Sequence, residues 1–159
     1  MATRVSAGIM LYRRVDSGIE LLLAHPGGPY FAKKDLGDWS IVKGEVEPGE
    51  ALLAVAHREF VEETGHVAPD GTPIDLASIV QKGGKVVHAW AIEGELDPTT
   101  AISNVVQLEW PPRSGRRQPF PEIDRVEWFG PDEARRRIKE TQIPFIDRLL
   151  EALDRAACR

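Results

Sequence analysis

Two short apolar runs, RVSAGIMLY at 4–12 and IELLLAH at 19–25, are parted by the polar, turn-like RRVDSG, a pattern that predicts an antiparallel strand pair. A Gly-, Pro- and Lys-rich loop, GGPYFAKKDLGD, leads into a short strand, WSIVK. A helix is predicted from Glu50 to Thr64, with Pro48 and Gly49 before it and Gly65 at the position of a left-handed C-terminal cap. IDLASIVQ and KVVHAWAIE flank Lys82-Gly83-Gly84, and a Gly-Gly turn between such runs signals a hairpin. Farther on, NVVQLEW and DRVEWF read as strands around a loop, PPRSGRRQPFPE. Two helices close the chain, PDEARRRI with Pro131 in its first turn and PFIDRLLEALDRAA with an apolar stripe of Phe145, Leu149, Leu150 and Leu153. Strands interleaved with one central and two late helices predict an α/β fold with a mixed sheet.

The 159 residues suit one domain, 1–159, with room for a core that needs no staples. A hydrophobic fraction of 42% with 28% charged residues is the balance of a globular protein, and no run reaches membrane-spanning length. The net charge of −5 argues against general nucleic-acid binding. Cys158, the single cysteine, excludes an internal disulfide and a cysteine-based zinc site, so a reducing cytoplasm is the expected compartment. The oligomeric state is not specified by these features.

The chemistry concentrates in HREFVEETG, residues 57–65. On a helix Glu59, Glu62 and Glu63 share an arc of about 100° that borders the apolar stripe of Leu53, Ala56 and Phe60. Carboxylates at a core boundary repel unless they are protonated or a cation lies among them, and oxygen ligands suit Mg²⁺ or Mn²⁺.

Gly44, Glu50, Arg58-Glu59, Phe60, Glu62-Glu63 and Gly65 together resemble the Nudix box, G-x5-E-x7-R-E-U-x-E-E-x-G-U, where U is a bulky apolar residue. Two departures stand out. His66 occupies the last apolar place, and Val42 stands where proline is common before the loop. The resemblance implies a Nudix α/β/α sandwich with a mixed sheet between helices. It also implies hydrolysis of a nucleoside diphosphate linked to another moiety, with Mg²⁺ or Mn²⁺ as cofactor.

Carried over by position, the metal ligands would be Glu59, Glu62, Glu63 and the backbone carbonyl of Lys43. Glu59 could instead be the general base; Arg58 would orient the glutamates and Glu50 would brace the loop. Glu122, six residues before Trp128, is the candidate for a further acidic ligand, competing with an ordinary loop glutamate; Glu93, Glu95 and Glu127 fit less well.

WSIVKGEVEPGE resembles the same stretch in diadenosine tetraphosphate hydrolases, where Lys43 would reach a phosphate. Arg113, Arg116 and Arg117 could pair with phosphates or simply solubilise their loop, and Tyr30 and Phe31 are candidates for stacking on a base. Trp39, Trp90 and Trp110 read as packing residues, and His57 and His88 as structural rather than metal-binding. The competing functions are a house-cleaning nucleoside triphosphatase, an RNA 5′-end pyrophosphohydrolase, and a non-catalytic nucleotide sensor; a sensor usually loses box glutamates, and here none is lost.

Overall fold

The computed structural model describes residues 3–158. The first two apolar runs form β1 (Val5–Val15) and β2 (Gly18–Pro26), an antiparallel pair as their spacing predicts. β3 (Val42–Glu45) pairs with β1 and starts later than WSIVK suggests, because Trp39 and Ser40 make only isolated bridges. The central helix α1 spans Leu52–Thr64. β4 (Ile74–Val80) and β5 (Val86–Glu93) form the Gly-Gly hairpin, in which Gly83 and Gly84 both take φ of 89°.

β6 (Val105–Glu109) pairs with β7 (Arg117–Pro121) in a separate two-stranded sheet, so part of the expected loop is a strand. β8 (Ile123–Phe129) returns to the main sheet, followed by α2 (Pro131–Arg137) and α3 (Ile143–Ala157).

The main sheet runs β4-β5-β1-β2-β8, with β3 off this path beside β1. Only β1 and β5 run parallel, which makes the sheet mixed. Each face carries its own core. On one side Phe60, Val55 and Ala56 of α1 pack with Ile9, Leu11 and Leu22; on the other Phe145, Ile146 and Leu149 of α3 pack with Met10, Leu21 and Trp39. Alternate residues of β1 and β2 thus serve opposite cores, which explains why both strands read as continuous apolar runs.

β4 is irregular. Its pairing shifts between Asp75 and Ser78, where Ala77 takes φ of 61° and donates its N–H to Asp75 Oδ1 at 2.7 Å. The carbonyls of Leu76 and Ser78 accept from Arg148 Nη1 of α3, at 2.9 and 3.0 Å.

Candidate active site

Local chemistry fixes how α1 enters and leaves. Glu50 lies in the turn before the helix, not in its first turn as expected. Its Oε1 accepts the Glu47 N–H at 2.8 Å, Gly49 turns at φ of 86°, and Ala51 is the N-cap. At the other end Gly65 takes φ of 74° and donates its N–H to Val61 O, the left-handed cap its position predicts.

The three glutamates are not equivalent. Glu59 and Glu63, one helical turn apart, face inward at 9% and 4% exposure, beside Phe60. Glu62 lies exposed and is held loosely by Arg58 Nε at 3.9 Å. Arg58 also pairs with Glu50 Oε2 and lies 3.5 Å from Glu59 Oε1, so its guanidinium links the entry turn to the inward carboxyl.

β3 passes directly over these carboxyls. A Cβ on Gly44 would fall inside Glu59 Cγ, Cδ and Oε2, so the backbone touches the carboxyl only because residue 44 has no side chain. The Lys43 N–H donates to Glu63 Oε2 at 3.3 Å.

Lys43, Gly44, Glu63 and Glu122 line one cavity of about 210 Å³. Glu122 is brought there by backbone bonds: its N–H donates to Asn104 O at 2.9 Å and its carbonyl accepts from Gly27 N at 2.9 Å, while Asn104 N is tied to Glu62 O of α1 at 2.8 Å.

Burial, then the Glu122 charge, pushes the Glu63 carboxyl up to about 9, against the opposing pull of Lys43. Burial and the neighbouring Glu62 raise Glu59 as well. Burial lowers the Lys43 ammonium to about 8, reinforced by Lys85 and Lys139. Two inward carboxyls, each made less acidic by desolvation and by another carboxylate, form an all-oxygen donor set. That chemistry fits a hard divalent cation. Among the described residues, no three His, Cys, Asp or Glu side chains are already drawn into one metal-holding cluster. Glu62 would have to swing inward to join.

The other candidates lie elsewhere. Arg113 and Arg116 are exposed at the tip of the β6–β7 hairpin, and Arg117 Nη2 donates to Gln107 O at 3.1 Å. Tyr30 packs edge-on against Trp110 with ring centres 5.4 Å apart, and Phe31 lies under Lys34 at 5.3 Å. Among the described residues, neither these aromatics nor the three arginines line the carboxylate cavity.

Trp39 is fully buried in the core, whereas Trp90 and Trp110 are half-buried. His88 bonds Asp75 and Ser78 on the sheet. His66 has a packing account: its Nε2 meets Thr100 Oγ1 at 2.8 Å, tying the helix exit to the 98–100 turn.

Lys85, Lys139, Asp38 and Glu45 also line the cavity, and none was a sequence-level candidate. Lys85 follows a recognisable Gly-Gly turn, but nothing near Lys139 marks it.

The NUDIX domain family matches residues 2–149. An 8-oxo-(d)GTP phosphatase of Mycolicibacterium smegmatis is 35% identical over 75 residues, which is 45% of this chain and 23% of that protein. The chain therefore spans about a quarter of that relative's length.

An Ap4A hydrolase of C. elegans, in a binary complex, superposes with TM-score 0.65 at 20% identity, covering 94% of this chain and 98% of that one. The NUDIX domain of Shewanella oneidensis NrtR, complexed with ADP ribose, gives TM-score 0.66 at 15% identity over 96% and 90%. At these identities the two structures establish the fold.

Proposed function

The chain belongs to the NUDIX family, and from that premise we propose that it is a metal-dependent pyrophosphohydrolase cleaving a nucleoside diphosphate linked to another moiety. A dinucleoside polyphosphate such as diadenosine tetraphosphate is the substrate put first. The observation that carries the proposal is that Glu63, Glu122 and Lys43 meet at one cavity while Glu59, the other inward glutamate of α1, lies against Gly44 of its wall, with every box glutamate present.

Glu59, Glu63 and Glu122, with Glu62 once it turns inward and the carbonyl of Lys43, would hold Mg²⁺ or Mn²⁺. Such ions neutralise phosphoryl charge and make a bound water more acidic. The chain's own groups do the rest. Arg58 fixes Glu59 against the entry turn through Glu50. In the alternative in which Glu59 does not ligate the metal, it is the carboxylate, raised by burial, that would take a proton from the attacking water. The Lys43 ammonium, at the cavity wall, offers positive charge to a phosphate oxygen. Gly44 keeps the backbone close to the reacting region.

A second reading, a house-cleaning nucleoside triphosphatase, is supported by the partial match to the 8-oxo-(d)GTP phosphatase. RNA 5′-end hydrolysis and a non-catalytic sensor have less support. We place the activity in a reducing cytoplasm, on the strength of one exposed cysteine. Among the described residues, no helix is long and apolar enough to cross a membrane.

The test is a parallel assay of diadenosine tetraphosphate, ordinary and 8-oxo dNTPs, and ADP-ribose with Mg²⁺ and Mn²⁺. Turnover of the first above the others is expected. Preference for the triphosphates would select the second reading, and nucleotide binding with no turnover on any would overturn the hydrolase.

A further inference from the structure

His25, on β2, is a completely buried polar side chain that the chemistry at the carboxylate cavity leaves unused. Its ring stands edge-on to Trp39, with centres 5.0 Å apart. Nδ1 lies 2.9 Å from Asp124 Oδ1 on β8, and Nε2 lies 2.6 Å from the Lys34 carbonyl in the loop before β3. Both nitrogens thus have partners, as burial of an imidazole requires, and each partner belongs to a different segment. Arg125 comes within 3.6 Å of the same Asp124 oxygen and extends over the Trp39 ring.

The bond to Asp124 coincides with a break in the β2–β8 ladder. His25 pairs with Arg125, but the next residue, Pro26, pairs with Ile123, so Asp124 is an extra residue on β8 and forms a β-bulge. Burial shows the effect. Ile123, Val126 and Trp128 all pack on the α1 side of the sheet, although strict alternation would send Ile123 to the opposite face. Residue 122 is displaced by the same one-residue step.

That step matters because Glu122 comes just before the bulge and lines the cavity, where its charge acts on Glu63 and Glu59. The segment 121–124 is held closely. A Cβ on Gly27 would fall inside Pro121 O, so this glycine lets the returning chain pass. The backbone bond from Gly27 N to Glu122 O holds the segment against β2, while the side chain of His25 fixes its register. Neither His25 nor Asp124 is among the residues lining the cavity, so an effect of either on the reaction passes through Glu122.

We propose that His25 and Asp124 are positioning residues for Glu122: their bond pins the bulge, and with it the point at which the Glu122 carboxyl enters the cavity. The proposal rests on the hydrolase reading and on Glu122 as a metal ligand.

The test is a double-mutant cycle read by Mn²⁺ binding, followed by electron paramagnetic resonance, and in parallel by kcat/KM for diadenosine tetraphosphate. It uses the parent, Asp124→Ala, Glu122→Gln and the double variant, with circular dichroism confirming that each is folded. The Asp124 side chain is partly exposed, so its truncation spares the core. Each single variant is expected to weaken Mn²⁺ binding by about tenfold, and the double variant by no more than about twofold beyond Glu122→Gln alone. Asp124→Asn, which keeps an acceptor oxygen for His25, should recover most of the loss. His25→Phe, which keeps a ring against Trp39 and removes both bonds, should resemble Asp124→Ala.

Parent-like Mn²⁺ binding by Asp124→Ala or by folded His25→Phe overturns the positioning role, as do losses that multiply in the double variant or an asparagine no better than alanine. Each of those results leaves Glu122 standing as a ligand if Glu122→Gln is itself impaired. Undiminished binding by Glu122→Gln overturns the proposal from the other side, because there is then no ligand to position. If the parent binds Mn²⁺ but hydrolyses no nucleotide, the proposed function fails while the binding cycle still decides the role of His25 and Asp124.

Discussion

Gly44→Ala separates fold from function at a single methyl group. Gly44 has no left-handed φ, so alanine is tolerated by the backbone; the conflict is purely spatial, with the Glu59 carboxyl. Regaining ordinary contact requires that carboxyl to retreat by about 1.5 Å. It is the far end of a flexible side chain, so the retreat costs about 1–2 kcal/mol as mild overpacking, or roughly 2–8 °C in Tm for a chain of this size. Function is more sensitive, because a displacement of about 1 Å in a positioned catalytic group costs on the order of 100-fold in rate.

Hydrolysis of diadenosine tetraphosphate with Mg²⁺ is therefore expected to fall by about 100-fold in kcat/KM while the variant stays folded. Gly130→Ala, where an added Cβ meets nothing within 4 Å, is the control and should match the parent. Activity of Gly44→Ala within about threefold of the parent would refute the argument that this glycine exists to let β3 touch the carboxyl.

Mg²⁺ should stabilise the protein by linkage, about 2.7 kcal/mol at 100 times Kd, seen as a rise in Tm. Glu63→Gln should shrink that rise and leave the metal-free form at least as stable, since it removes a desolvated carboxyl; an undiminished rise would exclude Glu63 as a ligand. Phe60→Ala, at a fully buried site between α1 and the sheet, should cost about 3–5 kcal/mol in urea unfolding. Asp35 is held below the usual carboxylate range by the Trp39 indole N–H and then by Arg137. Its folded-state value being depressed, the stability it contributes is present above about pH 4 and is lost as pH falls. Asp35→Asn should therefore flatten the fall in urea midpoint between about pH 4.5 and pH 2.5, and an unchanged slope would contradict the assignment.

Much of the fold was readable because its signals are local. Gly65 at the exit of α1, the Gly-Gly turn and the apolar runs of β1 and β2 each constrain their own backbone. β7 was hidden by composition: Pro119 and Pro121 look like loop residues, yet a strand in an isolated two-stranded sheet tolerates them because its other edge needs no donor. Helical arithmetic grouped Glu59, Glu62 and Glu63 on one arc, but Glu59 and Glu63 lie only about 40° apart at 100° per residue, whereas Glu62 falls about 60° to the other side. That offset puts Glu62 in solvent and the other two inside. Gln142 left no trace in the sequence, since its bonds to Gln81, Ser40 and Ile41 depend on three distant segments converging.

β4 ends the sheet, and an outer strand normally offers its free backbone groups to any passing chain. Here the reversal at Ala77 breaks its flatness, and Arg148 occupies the carbonyls of Leu76 and Ser78 that an incoming strand would use. Helix α3 thus acts as a guard against edge-to-edge polymerisation. The β4 edge is occupied by the chain's own helix, while the carboxylate cavity lies among other elements of the fold.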